Sequence, residues 1–371
     1  MPAKGDGITK RKDGRYMARY TVQTADGPKR KTIYGEKYGE VEKKLNEARS
    51  NADKGLTFDA GKLTTTEYVN RWLADSVKDT VRQRTYERYE SLVRVHVVPT
   101  LGRVKLKNLT PVHVRGLYRE KLDSGLAARS VLHLHRTLSK ALKQAVDDGI
   151  IPRNAAASVR PPQPRKEEIQ PLSREQVHVF LEAVSGDRLE ALYVVAITAG
   201  LRRGELLGLK WEDLDLDAGM LQVRRTLSET RDGRVFEAPK SGKGRSVRLT
   251  RRAVTALKAH RKAQLEERLA KAGLWEENGL VFASEAGTTI QGRNMMRHYK
   301  IRLDRAGLPS TFRFHDLRHT CATLLLKQGV HVKFVQELLG HSDVALTLNI
   351  YSHILPDMGD AAAGAMDDAL G

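Results

Sequence analysis

The chain has 371 residues, more than a single hydrophobic core usually organises, so we expect two or three domains. Its 64 lysines and arginines outnumber 45 aspartates and glutamates, and the formal net charge of +19 indicates a polyanionic partner. The single cysteine, Cys321, excludes a disulfide framework and a cysteine-based zinc site. The N-terminus has no apolar core, and no apolar run approaches the roughly 20 residues of a membrane span, so we expect a soluble intracellular protein without a membrane partner.

Residues 1–60 predict a small three-stranded sheet followed by a helix, because two Asp-Gly turn signals separate short alternating runs. In the second run, Ala18 and Tyr20 fall on one face and Arg15 and Arg19 on the other. The cationic face suits a DNA groove, although a charge run is more often only a solvated surface. The candidate DNA contacts in this block are Lys10, Lys12, Arg15, Arg19, Lys29, Arg30 and Lys31.

Residues 61–160 predict an all-helical block. We expect one helix to begin at Thr66 and another at Thr110, where proline follows a capping residue. Gly125 and Gly149 mark plausible helix ends. Four apolar residues at near-helical spacing would face a bundle core, and these are Leu134, Leu138, Leu142 and Ala145. Since the block has no catalytic spacing, a four-helix DNA-binding module is favoured, with a purely structural bundle as the alternative.

Residues 161–172 contain four prolines and mixed charge, a composition typical of a semi-rigid linker. Ser173 and Gln176 then have the spacing of a capping box, which would open a third block. This block, residues 173–353, predicts mainly helices with a small antiparallel sheet. The acidic tail, residues 354–371, either folds as a helix by docking on a neighbouring protomer or frays.

Two motifs rich in basic residues lie in the first half of the third block. Ala-Gly-Leu-Arg-Arg-Gly-Glu at residues 199–205 places Arg202 one helical turn before Glu205. An ion pair on a helix surface would explain that pair equally well. The run from Pro239 to Leu249, which contains Ser-Gly-Lys-Gly, predicts a hairpin with a lysine at its tip, and a solvated turn is the plainer interpretation.

Two histidine motifs follow in the second half. His-Asp-Leu-Arg-His-Thr brings His315 and Arg318 onto one helical face if Asp316 caps the helix. Leu-Leu-Gly-His then supplies His341, and Tyr351 lies ten residues later. Each motif is a weak signal alone, so the order and spacing of the whole set carry the argument.

The set of Gly-Leu-Arg-Arg-Gly-Glu, a hairpin lysine, His-x-x-Arg, Leu-Gly-His and a late tyrosine resembles the tyrosine recombinases, and within them the phage-type and conjugative-element integrases. The resemblance extends in outline over the whole chain. It implies a multidomain α+β protein with an arm-type DNA-binding domain in residues 1–60, a helical core-binding domain in 61–160 and a catalytic domain in 173–353. Ala199 is one departure, since the family more often has threonine there.

The resemblance also implies a set of catalytic residues, which are Arg202, Lys240, His315, Arg318, His341 and Tyr351. The tyrosine is then the nucleophile, and the two arginines clamp the scissile phosphate. Lys240 would protonate the departing 5′ oxygen, with Lys243 as its competitor. His315 would either accept the tyrosine proton or hold a phosphate oxygen, His341 would add a hydrogen bond to the phosphate, and Glu205 would orient an arginine.

These residue types suit phosphoryl transfer. Guanidinium groups match the non-bridging oxygens with paired donors and keep their charge at neutral pH. A tyrosine hydroxyl, whose ordinary pKa is about 10, needs a base or a cationic setting before it can attack. The sequence has no credible carboxylate triad, HExxH motif, cysteine cluster or P-loop, so we expect no metal and no other cofactor.

The implied function is that of a site-specific DNA recombinase, which cuts and rejoins att-like sites through a 3′-phosphotyrosine intermediate and so integrates and excises a mobile element. The implied partners are double-stranded DNA with core and arm sites, a homotetramer on DNA, a host DNA-bending protein and a directionality factor. The expected location is the bacterial cytoplasm, at the nucleoid when bound to DNA. Two alternatives are a catalytically silent architectural DNA-binding protein and a type IB topoisomerase-like strand transferase. A lapsed enzyme would be expected to have lost a charged member of the set, and none is lost.

Overall fold

A computed structural model describes residues 7–24, 27–53, 62–165, 170–239, 242, 244–351 and 358–371. The chain divides into two compact units, Met1–Lys166 and Glu167–Gly371. The division lies within the predicted linker, and the predicted mixed α+β class is confirmed.

The first unit begins with a three-stranded antiparallel sheet in the order β1-β2-β3, followed by helix α1. The elements are β1 (Ile8–Lys10), β2 (Tyr16–Thr24), β3 (Gly27–Gly35) and α1 (Tyr38–Asp53). Ala18 and Tyr20 of β2 pack with Val41 and Leu45 of α1 in a small hydrophobic cluster. The alternation read from the sequence is therefore confirmed, since Arg15 and Arg19 point to the exposed side.

Four helical stretches follow in the described part of this unit, together with a short 3-10 helix at Leu106–Asn108, and two of the stretches contain a five-residue π-helical segment. They are α2 (Thr65–Trp72) with Leu73–Val77, α3 (Gln83–Leu92) with Val93–Val97 and α4 (Val98–Leu101), α5 (Pro111–Asp123), and α6 (Ala128–Asp147). The four residues predicted to face the core of the bundle are all buried in one cluster. This cluster is separate from the one that joins β2 to α1, so the helical bundle has a hydrophobic core of its own.

The first helix of the bundle begins at Thr65 with Thr64 as its cap, one residue before the expected start at Thr66. Thr64 is the N-cap residue, and its hydroxyl oxygen accepts a hydrogen bond from the backbone N–H of Glu67, whose carboxylate accepts from the backbone N–H of Thr64. A capping box requires the cap residue to lie three positions before the glutamate. Thr64 meets this requirement, whereas Thr66 is directly next to Glu67. The predicted cap at Thr110 is confirmed.

The second unit contains nine helices and five strands within the described residues. The helices are α7 (Arg174–Ala183), α8 (Glu190–Ala199), α9 (Arg203–Leu207), α10 (Arg251–Lys271), α11 (Gly292–Arg305), α12 (Asp316–Lys327), α13 (Val332–Leu339), α14 (Val344–Tyr351) and α15 (Met358–Leu370). The strands are β4 (Leu214–Asp215), β5 (Met220–Val223), β6 (Thr226–Thr230), β7 (Gly233–Glu237) and β8 (Arg245–Arg248). Helix α8 is apolar almost all round because it runs through the core and packs on both α10 and α12.

The strands of this unit form two small antiparallel sheets where one was predicted. Strands β4, β5 and β8 form the first, and β6 and β7 form a separate hairpin. The run 239–249 is therefore not a hairpin, because the strand before it pairs with β6 and the strand within it pairs with β5. The segment instead connects the two sheets. No described helix is long and apolar enough to cross a membrane.

Candidate active site

Arg202 is positioned by the sharp turn at the end of helix α8. Gly200 ends the helix in the left-handed conformation, with φ of +59°, so that the chain reverses and Arg202 precedes α9. A Cβ atom on Gly200 would lie 2.8 Å from Leu339 and 3.3 Å from the Sγ of Cys321. The turn thus requires glycine for its conformation and for its close packing. Burial raises the pKa of the Cys321 thiol to about 12, which makes this cysteine a packing residue.

Glu205 lies buried beneath Arg202 and binds two arginines. One carboxylate oxygen, Oε2, accepts from the backbone N–H of Arg202 at 2.9 Å and from Nη2 of Arg245 at 2.8 Å. The other, Oε1, accepts from Nη1 of Arg202 at 2.8 Å and from Nη1 of Arg245 at 3.1 Å. Burial by itself would raise the pKa of Glu205, but the hydrogen bonds and charges of these arginines lower it to about 2. Glu205 is therefore ionised throughout the neutral range.

Arg245 was not among the residues predicted from the sequence. It lies on the same side of strand β8 as the buried Val247, and its side chain is only 11% exposed. A charged residue in register with a buried one needs a partner of opposite charge. The alternation of exposed and buried residues along β8 could have indicated a buried arginine. Its partner, Glu205, is 40 residues away in sequence, so local spacing could not predict the pair.

Arg318 comes from helix α12 and is 3% exposed. Its Nη1 donates to the backbone carbonyl of Gly200 at 2.7 Å, and its Nη2 donates to the carbonyl of Leu339 at 2.6 Å. The side chain therefore joins three of the motifs found in the sequence. Arg202 reaches the same place, since its Nη2 donates to the carbonyl of Gly340 at 3.1 Å.

Three consecutive carbonyl groups at the end of helix α13 each accept a hydrogen bond from a different arginine. Arg245 binds Leu338, Arg318 binds Leu339 and Arg202 binds Gly340. The carbonyl groups at a helix C-terminus have no partner within the helix and carry a partial negative charge, so they suit cationic donors. The turn that leads into His341 is thereby fixed to both predicted catalytic arginines.

His315 and His341 lie with these arginines in a cluster that also contains His319. Burial and the neighbouring charge of Arg318 lower the pKa values of His315 and His341, to about 4 for the latter. Burial lowers the pKa of His319 to about 4 as well, and its ring meets that of His315 edge to face with centroids 5.0 Å apart. All three imidazoles are therefore neutral near pH 7.

The start of helix α12 differs from expectation. His315 occupies the N-cap position, and Asp316 is the first helical residue instead of the cap. The Asp316 carboxylate reaches back to the backbone N–H of Arg313 at 2.7 Å and pairs with the guanidinium of that residue. The change does not separate His315 from Arg318, which both lie at the site.

The remaining predicted catalytic residues are only partly described. Tyr351 is the last residue of α14, the helix that follows His341, and its side chain lies outside the described part. Lys240 and its competitor Lys243 also lie outside the described residues. The structure thus brings Arg202, His315, Arg318 and His341 together, and it gives no placement for the lysine.

The seven basic residues predicted to contact DNA belong to the other unit. Within it, the exposed ones are Lys10, Lys12, Arg15, Arg19 and Arg30. Lys31 is half-buried, and the side chain of Lys29 lies outside the described residues. In the part of the chain that the structure describes, no group of three or more histidine, cysteine, aspartate or glutamate residues could hold a metal ion.

Comparison with known proteins defines the class. Residues 170–357 match the model of the phage integrase family, and residues 64–122 match the N-terminal SAM-like domain of phage integrases. A "tyrosine recombinase XerC-like" protein of Caldanaerobacter subterraneus is 32% identical over 359 residues, which cover 91% of this chain and 92% of the relative.

Solved structures show the same fold. The Tn1549 transposon integrase, in complex with a circular intermediate DNA, matches with a TM-score of 0.70 and 21% identity over 82% of this chain and 99% of that one. The lambda integrase tetramer bound to a Holliday junction matches with a TM-score of 0.58 and 21% identity over 91% of this chain and 96% of that one.

The protein is thus a tyrosine recombinase, a DNA strand transferase that performs site-specific recombination. The chain belongs to the phage integrase family, in which a covalent phosphotyrosine intermediate is general.

Proposed function

We propose that this integrase cuts and rejoins att-like DNA sites through a 3′-phosphotyrosine bond to Tyr351, and that it thereby integrates and excises a mobile element. The observation that carries the proposal is the convergence of Arg202 and Arg318 on neighbouring carbonyl groups beside His341. Two guanidinium groups held in this way present a fixed cationic surface, which suits the two non-bridging oxygens of one phosphodiester.

In this proposal Arg202 and Arg318 stabilise the negative charge that develops in the transition state. Attack on phosphorus places negative charge on the non-bridging oxygens, and guanidinium groups supply planar donors that stay charged. Because Arg202 and Arg318 are already held by protein carbonyls and by Glu205, little reorganisation is needed when the phosphate arrives. A lysine at either position would bring one charge without the fork of donors.

In the proposed reaction one bond to phosphorus forms as another breaks, and no cofactor is needed. The Tyr351 oxygen forms a bond to phosphorus as the bond between phosphorus and the 5′ oxygen breaks. The tyrosine proton passes to His315, whose lowered pKa makes it a neutral acceptor at pH 7, and Lys240 gives a proton to the departing oxygen. The new phosphodiester retains the energy of the old one, so the 5′ hydroxyl can later reverse the reaction without ATP.

His341 acts as a donor to the phosphate. Its Nδ1 lies 2.9 Å from the hydroxyl of Thr347. When Nδ1 accepts a hydrogen bond from that hydroxyl, the neutral ring carries its proton on Nε2, which can donate to a phosphate oxygen. Depression of its pKa keeps this tautomeric arrangement neutral in the physiological range.

The remaining blocks bind DNA in this proposal. Residues 1–60 would grip arm sites through the exposed basic face of β2 and its neighbours, and residues 61–160 would bind core sites. The chain would act in the bacterial cytoplasm as a homotetramer, as the lambda integrase does on a Holliday junction, together with a host DNA-bending protein and a directionality factor. The acidic helix α15 would dock on a neighbouring protomer.

Covalent capture tests the chemistry. The intact chain is incubated with a pool of nicked duplexes of random sequence, and DNA that stays attached to protein under denaturing conditions is sequenced. We expect wild-type protein to enrich one site and Tyr351→Phe to capture nothing. Wild-type protein that captures no DNA, or Tyr351→Phe that still does, would contradict the assignment. Relaxation of plasmids without the enriched site would favour the topoisomerase alternative.

A truncation tests the division of labour between the blocks. A chain that begins at about residue 63 should still cleave the captured core site but should integrate poorly. Full integration by the truncated chain would show that the first block does not bind arm sites. Binding by the intact chain should weaken steeply between low and physiological salt, as expected when many phosphates are neutralised.

A further inference from the structure

The first strand residue after the lysine-bearing segment, Arg245, takes part in no step of the proposed mechanism, yet its guanidinium donates both to Glu205 and to the turn before His341. We propose that Arg245 is a positioning residue for strand cleavage, which fixes Arg202 through Glu205 and fixes the turn before His341 through the carbonyl of Leu338. The inference rests on the proposed roles of Arg202 and His341.

The first link runs through the Glu205 carboxylate. Each of its oxygens accepts one hydrogen bond from Arg202 and one from Arg245, so the two arginines lie side by side along its edge. With Arg245 in place the carboxylate cannot rotate, and the direction of the Arg202 guanidinium is set. Without it, a carboxylate that is only 2% exposed keeps a single cationic partner and half of its donors.

The second link runs to the turn before His341. The Nε of Arg245 donates to the carbonyl of Leu338 at 2.8 Å, and a Cβ atom on Gly340 would lie only 3.0 Å from its Nη1. The guanidinium therefore lies flat against the backbone of this left-handed turn. Only a planar group with several donors can bind Glu205 and Leu338 at once while it packs against Gly340.

Through these two links Arg245 connects the Arg202–Glu205 pair to the turn before His341. Arg202 and Arg318 have donors directed at the carbonyl groups of Gly340 and Leu339, and they also face the substrate in the proposed mechanism. All three guanidinium nitrogens of Arg245 already donate to Glu205 or Leu338, so in this proposal it contributes to cleavage by holding the other groups in place.

The decisive experiment measures single-turnover cleavage of the captured nicked duplex, together with binding of the uncleaved duplex. Arg245→Met should slow cleavage about 10- to 100-fold, the usual effect of removing a residue that orients a catalytic group, while affinity for the duplex stays within about threefold. Arg245→Lys keeps a charge but cannot span both partners, so it should be slowed to an intermediate degree.

Arg188 offers a matched control. Its guanidinium forms the same two-pronged pair with Glu267 and donates to the carbonyl of Ala283, on elements that supply no site residue. Arg188→Met should therefore lower the thermal midpoint about as much as Arg245→Met does and leave the cleavage rate within about twofold of wild type. Equal slowing by the two variants would overturn the proposal, because it would reflect destabilisation alone.

The pH profile separates positioning from general stability. Loss of Arg245 removes the largest favourable influence on the Glu205 carboxylate, so its pKa should rise, and cleavage by Arg245→Met should fall more steeply than that of wild type between pH 7 and pH 5. Among the described residues, the other titratable side chains of this cluster are His315, His319 and His341, and the ratio of variant to wild-type rates removes their shared contribution. Adding Glu205→Gln should abolish the difference in slope.

The outcomes distinguish this inference from the proposed function. Wild-type protein that forms no adduct defeats the proposed function itself. Wild-type protein that cleaves, with Arg245→Met or Arg245→Lys as fast as wild type, overturns the role of Arg245 alone. A pH profile of cleavage by Arg245→Met that runs parallel to that of wild type would also overturn the role of Arg245.

Discussion

The Nδ1 of His341 lies 2.9 Å from the hydroxyl of Thr347, and Thr347 is fully buried in helix α14 four residues before Tyr351. Four residues span about one helical turn, so this contact joins the predicted phosphate donor to the helix that carries the predicted nucleophile. The turn that holds His341 is itself bound by three arginines. A chain of direct contacts thus runs from Glu205 to α14.

Thr347→Val tests that connection. Valine has nearly the same shape but no hydroxyl, so His341 would lose the partner that sets its tautomer, and we expect cleavage to slow about 10-fold at unchanged DNA affinity. Thr137→Val is the control, because Thr137 is also buried but donates to a carbonyl of its own helix in the other unit. Slowing by the control variant to the same extent would contradict a specific role for Thr347.

Arg318 should stabilise the fold as well as act on phosphate. Arg318→Met leaves the carbonyl groups of Gly200 and Leu339 without these donors, and we expect it to lower the free energy of unfolding by about 3 kcal/mol in urea. Arg268→Met removes an exposed arginine paired with Glu277 and should change stability far less. If both variants unfold at the wild-type urea concentration, the structural part of this assignment is wrong.

A sulfur-substituted substrate tests the choice between Lys240 and Lys243. A 5′ thiol is more acidic than a 5′ alcohol and leaves without protonation, so a general acid becomes dispensable when sulfur replaces the 5′ oxygen. We expect Lys240→Ala to cleave the oxygen substrate about 100-fold more slowly than wild type and to cleave the sulfur substrate at the wild-type rate. Rescue of Lys243→Ala instead would reverse the assignment.

Gly340→Ala should be more harmful than its backbone strain explains. Gly340 and Gly186 both have positive φ, of +62° and +71°, so alanine at either should lower the free energy of unfolding by about 1 kcal/mol. Only at Gly340 would the new methyl group press on Arg245, whereas the space around Gly186 is open. Cleavage should therefore slow in Gly340→Ala and stay normal in Gly186→Ala, as measured by single turnover. Equal rates would mean that Arg245 yields to the methyl group without effect on the site.

Stability should fall on acidification, partly through His319. Its pKa is about 4 in the folded protein and about 6.5 when unfolded, so the unfolded chain takes up a proton first as the pH falls. The free energy of unfolding should therefore decrease from pH 6.5 to pH 4, and His319→Gln should reduce proton uptake on unfolding at pH 5 by about one proton. Urea titrations at pH 5 and pH 7 measure this, and an unchanged pH dependence in the variant would contradict it.

Local patterns predicted local structure well. The alternation around Ala18 and Tyr20 gave the buried face of β2, and the spacing of Ser173 and Gln176 gave the capping box that opens α7. Each of these depends on residues a few positions apart, where backbone geometry alone decides which side chains meet. The cap of α2 was misplaced because three threonines precede Glu67 directly, and only the spacing to the third helical position distinguishes them.

Pairings between distant segments could not be predicted in the same way. The run 239–249 contains a turn signal, but the partners of β7 and β8 are chosen by the packing of two separate sheets. Arg245 was missed because its place in the site depends on contacts with Glu205 and Leu338, which are far from it in the sequence. The motifs could indicate which residues belong to one site, whereas the contacts between one motif and another depend on the tertiary fold.

The burial of Arg318 affects how inactive descendants of such enzymes should be recognised. Because this arginine fastens α12 to two other segments, a copy that no longer cut DNA would still need it to fold and to occupy its sites. Natural selection for binding alone would preserve Arg318 long after the reaction had been lost. Its presence in a genome is therefore weak evidence of a working recombinase, and the first traces of decay should be sought at site residues that contribute little to the fold.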